Sequence, residues 1–254
     1  MKNPKFVSTI LIGTCLITLA SCGGSGGSSN SSTTRQEQQL DDQGIYRAVL
    51  RPLNTAVAGE TTGTVEIRIT GDDVVVESNV VGAPAGVKHL QNITTSNACP
   101  ITDTNGDTFI DIAEALPATG QILIPLDSDL SEQLDGMDFG PIANSSGSYV
   151  YKRSTTLSLM LADLRAFDPD PLDPVVKIAP EQDLNLSGRV LIVHGVDRSS
   201  NLPDSVATVG SVSREQALPI ACGQLVRINS EDAVAAETEA PSAEETETEP
   251  GTFM

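Results

Sequence analysis

Residues Gly188 to Ile228 read GRVLIVHGVDRSSNLPDSVATVGSVSREQALPIACGQLVRI, and this stretch is the most informative part of the chain. It opens with an apolar run from Arg189 to Val193 that is typical of a buried β-strand. The run ends at His194, one of only two histidines in the 254 residues. The same stretch contains Cys222, one of four cysteines. Both residue types are scarce enough for their positions to carry information.

Strand patterns also occur in the residues that precede this stretch. The clearest are residues 63–70 and 74–81, and the sequence Gly71-Asp72-Asp73 between them is typical of a hairpin turn. Shorter runs at 46–50, 121–126 and 148–153 follow the same rule. Two segments have helical patterns, 158–166 and 110–116, the second ending before Pro117. Many short strands separated by Gly and Pro predict an all-β antiparallel sandwich or barrel.

The N-terminus has the pattern of an export signal. Lys2 and Lys5 precede an apolar run to Ala20 that is too short for a comfortable membrane span. The run ends in Leu-Ala-Ser-Cys, which resembles a bacterial lipobox with Cys22 as the lipidated first mature residue. A Gly- and Ser-rich stretch follows and would serve as a flexible tether. We therefore expect a lipid anchor at Cys22, the alternative being ordinary cleavage near an unrelated cysteine.

The four cysteines can be assigned on this basis. Cys15 leaves with the signal and Cys22 takes the lipid, so Cys99 and Cys222 remain in an oxidising compartment. A disulfide between them is expected. Two buried free thiols are the alternative.

The charge of the chain argues against two classes of partner, and its composition divides it into segments. The formal net charge is −19, which argues against a nucleic-acid partner, because phosphate binding depends on Lys and Arg. Anionic lipid headgroups are poor partners for the same reason, so membrane attachment should come from the anchor alone. The predicted segments are a signal peptide (1–21), a tether (22–44), one β domain (45–229) and an acidic disordered tail (230–254).

Several segments of the β domain resemble Cu/Zn superoxide dismutases. Residues 188–228 are similar to the closing strands of that family, and residues 56–93 (AVAGETTGTVEIRITGDDVVVESNVVGAPAGVKHLQNI) resemble its first hairpin and metal-binding strand. His194 matches the last copper-binding histidine, and Cys99 and Cys222 stand where the family keeps its disulfide. The middle of the domain does not match. The resemblance implies a Greek-key β-sandwich or barrel with one or two short helices in long insertions.

The histidine count departs from that family. Its dinuclear site needs about six histidines, whereas this chain has two. The copper-binding His-x-His pair corresponds to residues 92–94, or in another register to His89 and Gln91. The arginine that guides superoxide in the family is replaced by Pro219. The expected domain is therefore non-catalytic and copper or zinc is not expected, with residual binding by His89 and His194 as the alternative.

Residues 103–114, DTNGDTFIDIAE, resemble an EF-hand calcium loop. Oxygen ligands at positions one, three, five, seven, nine and twelve surround calcium in such loops. Thr108 occupies the sixth position, where glycine normally supplies a positive φ. A structural calcium site is expected, and a solvated acidic loop is the alternative. The candidate ligands are Asp103, Asn105, Asp107, Phe109, Asp111 and Glu114.

Together these patterns predict a lipid-anchored protein of the bacterial cell envelope. The domain would lie in the periplasm or at the cell surface, held by the outer rather than the inner membrane. Its function would be that of a structural or interaction module, bound to an unidentified protein partner. The alternative is a divergent copper-dependent superoxide dismutase. A hydrolase is disfavoured, because the chain lacks a nucleophile elbow and has few histidines.

Overall fold

The computed structural model describes residues 42–131, 140–166 and 175–229. Within them, nine strands form one antiparallel sheet that curls into a half-barrel. The strands are β1 (Gly44–Pro52), β2 (Thr62–Thr70), β3 (Asp73–Val81), β4 (Gln91–Thr94), β5 (Ile122–Pro125), β6 (Tyr149–Thr156), β7 (Val190–His194), β8 (Pro219–Gln224) and β9 (Val226–Ile228). The helices are α1 (Thr55–Ala58), α2 (Ile112–Thr119), α3 (Leu157–Leu164) and α4 (Arg214–Ala217), with a 3-10 turn at Arg198–Ser200.

The strand order is β5-β4-β7-β8-β1-β2-β3-β6, and β9 also pairs with β1. β1 joins the two halves of the sheet. On one side it pairs with β2 over residues 44–50. On the other side it pairs with β9 over 45–47 and with β8 at Arg51 and Pro52. One strand therefore holds both halves in a fixed relation.

The core lies inside the curl. β2 shows the reason, because Val65, Ile67 and Ile69 are buried, while Thr64 before them and Arg68 between the last two are exposed. Period-two alternation of this kind places one face of a strand on the core. The main core cluster combines residues from both halves of the sheet, including Leu50, Val76, Ile93, Leu123 and Leu191. α3 adds Leu157, Met160, Leu161 and Leu164.

The predominantly antiparallel β fold predicted from the sequence is confirmed. β2 and β3 form the expected hairpin, with Gly71 at φ 62 in the turn and Thr70 paired with Asp73. The predicted strands at 46–50, 121–126, 148–153 and 189–193 correspond to β1, β5, β6 and β7 within a few residues. The helix predicted at 158–166 is α3, at Leu157–Leu164.

α2 departs from its predicted limits of 110–116. It begins after Asp111, whose carboxylate accepts hydrogen bonds from the Ala113 and Glu114 amides and so fixes the first turn. It continues through Pro117 to Thr119, where the Gly120 amide still donates to the Leu116 carbonyl at 2.8 Å. The capping residue thus defines the start better than hydrophobic periodicity does.

Residues 42–44, at the predicted boundary between the tether and the β domain, lie within the described part of the chain. Gly44 already belongs to β1, and Asp42 is buried. The Asp42 carboxylate accepts hydrogen bonds from the amides of Leu184 and Asn185 at 3.2 and 3.1 Å. The ordered domain therefore includes Asp42. The signal at 1–21, Cys22, most of the tether and the tail at 230–254 lie outside the described residues.

Within the described ranges, no helix has the length and apolar character needed to cross a membrane.

Candidate metal-binding loop and the two histidines

Three carboxylates converge in the loop between β4 and α2. Oxygens of Asp103, Asp107 and Glu114 all lie within 4.8 Å of one another. Asp103 and Asp107 come from the loop itself, whereas Glu114 is in the first turn of α2. In the described part of the chain this is the only group of three or more His, Cys, Asp or Glu side chains close enough to share an ion. Such an arrangement could hold a metal ion.

The loop backbone wraps around Asp103. Its Oδ1 accepts a hydrogen bond from the Gly106 amide at 2.7 Å, and its Oδ2 accepts one from the Thr108 amide at 2.8 Å. Both amides are aimed inward because Gly106 and Thr108 adopt positive φ angles of 77 and 76. Thr108 thus takes the left-handed conformation for which glycine is normally used at this position. The departure in residue type does not change the turn.

Glu114 closes the loop from the helix side. Its Oε1 accepts hydrogen bonds from the amides of Thr104 and Asn105 at 2.7 and 2.9 Å, and from the Thr104 hydroxyl at 2.8 Å. Its Oε2 accepts one from the Asp111 amide at 3.2 Å. The carboxylates of the first and last residues of the twelve-residue motif are therefore both held by backbone amides of the same loop.

The other predicted ligands have different surroundings. Asn105 Oδ1 accepts a hydrogen bond from the Asp107 amide at 2.8 Å, and the half-buried Phe109 packs against the core. Asp111 is buried, caps α2 through Oδ1 and accepts the Ala207 amide through Oδ2 at 2.7 Å. The structure therefore brings Asp103, Asp107 and Glu114 together and assigns Asp111 to the framework of the loop.

Hydrogen bonding favours the ionised state of two of the carboxylates. The Ser205 hydroxyl donates to Asp107 Oδ2 at 2.6 Å and lowers the pKa of Asp107 below its usual value of 3.8. For Glu114, burial acts to raise the pKa, but hydrogen bonds from Thr104, Asn105 and Asp111 outweigh it, so the pKa lies below 4.5. Both groups are therefore charged at neutral pH, as a hard cation such as calcium requires of its ligands.

The disulfide predicted between Cys99 and Cys222 is confirmed, with Cα atoms 5.9 Å apart. Cys222 lies in the middle of β8, and Cys99 lies four residues before Asp103. The bond attaches the segment just before the candidate metal-binding loop, residues 103–114, to a central strand. The other end of the loop is attached by the Asn54 side chain, which binds both main-chain groups of Ile110.

His89 is fully buried, with its ring stacked on Tyr149 at a centroid distance of 5.4 Å. Its Nδ1 lies 3.1 Å from the His194 carbonyl oxygen and its Nε2 lies 3.0 Å from the Pro84 carbonyl oxygen. Burial lowers the pKa of His89, although both carbonyl contacts oppose this. Each ring nitrogen thus already has a main-chain neighbour.

The His194 ring has different neighbours. Its Nδ1 lies 2.8 Å from the Ala217 carbonyl oxygen in α4. Gln91 pairs with Val193, and the Gln91 side chain accepts from Ser78 at 2.8 Å. His89 lies just before β4, and its ring nitrogens contact the carbonyls of His194 and Pro84. Residual copper or zinc binding by His89 and His194 stays a prediction.

Sequence reasoning missed Asn54 and Ser205. Asn54 precedes α1, and Ser205 lies in the connection between β7 and β8, so both are distant from the loop in sequence. Neither residue belongs to the twelve-residue motif, and spacing alone gives no signal for them. Pro219, noted as a replacement for arginine, begins β8, and its carbonyl accepts a hydrogen bond from Asn54 Nδ2 at 2.8 Å.

No known protein-family model matches this chain. A comparison with curated proteins also finds no match.

Proposed function

We propose that this protein is a lipid-anchored component of the bacterial cell envelope whose superoxide dismutase-like β domain is non-catalytic and binds calcium in the 103–114 loop. It acts as a structural or interaction module, held at the membrane by lipid on Cys22. The observation that carries the proposal is the convergence of Asp103, Asp107 and Glu114 within 4.8 Å.

The order of the loop residues supports calcium as the ion. Oxygens at the first, fifth and twelfth positions of the motif lie within 4.8 Å of one another, and the positive φ at the sixth position matches the turn that EF-hand loops require. All three side chains are hard oxygen donors. Zinc and copper sites are built mainly from imidazole and thiolate, and the cluster contains neither.

The strand order supports a dismutase-like Greek key. β6 lies beside β3, and β7 lies beside β4, so the three connections β3–β4, β5–β6 and β6–β7 join strands that are not neighbours in the sheet order. Greek keys contain such long returns beside an earlier strand. The disulfide from the loop after β4 to β8 is consistent with the same relationship.

The surroundings of the two histidines support the absence of dismutase activity. Redox copper needs several neutral imidazole ligands, and His89 and His194 face different neighbours with their Nδ1 atoms on main-chain carbonyls. The surface of His194 is instead covered by α4, and Leu90, Val212 and Ala217 form an apolar cluster there. The space around His194 is therefore filled by packing, as is usual in the interior of a small structural domain.

Calcium binding is tested by thermal and urea unfolding of the full chain in chelator and in about 10 mM calcium chloride. Isolated extracellular sites have dissociation constants of roughly 0.1 to 1 mM. Binding to the folded state alone then adds roughly 1.4 to 2.7 kcal/mol to the free energy of unfolding. Asp103→Ala and Glu114→Ala should abolish this gain, and Glu60→Ala, at an exposed carboxylate elsewhere, should preserve it.

Magnesium chloride at the same concentration controls for ionic strength. Equal stabilisation by both salts, or none by calcium, would overturn the calcium assignment. The non-catalytic assignment is tested separately by copper analysis and superoxide turnover of the purified protein. Tightly bound copper with turnover would contradict it and support a divergent dismutase.

A further inference from the structure

A polar cleft of about 600 Å³ lies away from the calcium loop, beside the end of β4 and the start of β7. Small-molecule sites in proteins commonly have this volume. The cleft is lined by residues 95–97, 123, 176–178, 182, 185 and 187–189. Most of these side chains carry hydroxyl, amide or cationic groups, with Leu123, Val176 and Ile178 forming a short apolar wall.

Arg189 lines this cleft and is only 9% exposed. Its Nε donates to the Leu184 carbonyl at 2.6 Å, and its Nη1 donates to the Thr95 carbonyl at 3.1 Å. These bonds fix the guanidinium plane and use two of its five N–H groups. Within the three described ranges, no carboxylate lies within 4.0 Å of its nitrogens.

Asp42 is the carboxylate whose charge acts on Arg189, but its oxygens already accept the Leu184 and Asn185 amides. Burial lowers the pKa of Arg189, and the charge on Asp42 opposes this only in part. Burying a guanidinium without a directly bound anion is unfavourable, because no ion pair offsets the free energy of removing the charge from water. An anion bound from solvent would offset it.

Lys177 adds a second cation to the lining, 18% exposed and 3.5 Å from the Asp163 carboxylate. Ser96, Asn97 and Ser187 supply neutral donors around the same space. The chain as a whole has a net charge of −19, so its general field repels anions. A cationic cleft on such a protein would therefore bind an anion through local contacts, and not through long-range attraction by the protein as a whole.

We propose that this cleft binds a small polar ligand through an oxyanion group, a carboxylate or a phosphate, that pairs with the Arg189 guanidinium. Guanidinium groups bind both oxyanions with paired N–H donors. The space along the apolar wall can hold a short carbon skeleton attached to the oxyanion group. The site is separate from the calcium loop, so either can exist without the other.

The test measures binding of inorganic phosphate and of succinate to the full chain by calorimetry, with chelator present and ionic strength held constant with sodium chloride. Ser187→Asp places a carboxylate at the exposed rim of the cleft and leaves Arg189 and its two carbonyl bonds in place. It should weaken binding by roughly tenfold or more, because the new carboxylate competes with the ligand. Ser211→Asp adds the same charge at an exposed position outside the cleft lining and should leave affinity within about twofold.

Saturable binding of either anion that Ser187→Asp weakens and Ser211→Asp does not would support the site, and the tighter anion identifies the ligand class. No binding of either anion beyond the chloride control would overturn the proposal. Binding that Ser187→Asp leaves unchanged, or that both variants weaken equally, would also overturn it, since the anion would then bind elsewhere.

Discussion

The Asn54 side chain binds the main chain of Ile110 as a neighbouring strand would. Its Oδ1 accepts from the Ile110 amide at 2.9 Å, and its Nδ2 donates to the Ile110 carbonyl at 2.9 Å. Nδ2 also donates to the Pro219 carbonyl at 2.8 Å, at the start of β8. One amide group therefore attaches the end of the candidate metal-binding loop to the sheet.

Replacement of Asn54 should destabilise the fold strongly. Asn54→Ala removes three hydrogen bonds at about 0.5 to 1.5 kcal/mol each, so the free energy of unfolding should fall by roughly 2 to 4 kcal/mol. Urea unfolding measures the loss. Asn54 has a φ of 50, so Asn54→Gly should be less harmful than alanine, because glycine adopts this conformation without strain. Equal stability of wild type and Asn54→Ala would show that the three bonds are not formed.

The Cys99–Cys222 bond should contribute a large share of stability. It joins residues 123 apart, and chain entropy predicts a contribution of roughly 4 to 5 kcal/mol for a loop of this size. Urea unfolding of the oxidised protein and of a Cys99→Ser, Cys222→Ser double variant compares the two states. The Cys99→Ser single variant separates loss of the bond from replacement of the buried Cys222. A double variant within about 1 kcal/mol of the wild type would contradict the entropic argument.

The strained turn of the candidate metal-binding loop gives two opposite predictions, one for Thr108 and one for Gly106. Thr108 has a φ of 76, which costs a residue with a Cβ roughly 1 to 2 kcal/mol. Thr108→Gly removes that cost but adds entropy to the unfolded chain, so we expect a net stabilisation of roughly 1 kcal/mol or less. The Thr108 amide bond to Asp103 is unaffected by the change. Calcium affinity should not decrease.

Gly106→Ala is the matched opposite change. Gly106 has a φ of 77, and an added Cβ would meet nothing within 4 Å, so only backbone strain is introduced. We expect a loss of roughly 1 kcal/mol, read from the same unfolding curves. Effects of equal sign in the two variants would show that the loop does not hold this backbone conformation.

Much of the fold could be predicted from local patterns. The alternation in β2 and β3 and the Gly-Asp-Asp turn between them are short-range signals, and both appear where expected. Period-two alternation did not reveal β4, because three of its four residues, Gln91, Asn92 and Thr94, are polar although all four are buried. A pattern that assigns polar residues to the exposed face cannot recognise a strand of this kind.

The site was predictable only in part. The spacing of Asp103, Asp107 and Glu114 gave the carboxylate group, because an EF-hand-like motif is contiguous in sequence. The role of Asp111 was not predictable in the same way, since its bond to the Ala207 amide depends on a segment almost a hundred residues away. The main-chain partners of the two histidine rings were likewise not predictable, since the contact of the His89 ring with the His194 carbonyl joins residues 105 apart.

The burial of His194 determines how stability should respond to acid. Burial lowers the pKa of His194 from 6.5 to about 4, and the hydrogen bond to Ala217 opposes this only in part. The unfolded chain therefore takes up a proton that the folded chain resists. Stability should be constant above about pH 6.5 and should fall as the pH decreases towards 4. The carboxylates of Asp107 and Glu114 respond at lower pH, because their pKa values lie below 3.8 and 4.5.

We expect the free energy of unfolding to decrease by roughly 3 kcal/mol through His194 between pH 7 and pH 4, since each pKa unit corresponds to about 1.4 kcal/mol. Urea unfolding at several pH values measures the slope. His194→Asn keeps a donor for the Ala217 carbonyl but does not titrate, so its slope should be much shallower. Some slope should remain, because burial also lowers the pKa of His89. Identical slopes in the two proteins would mean that His194 is already protonated, or exposed, in the folded state.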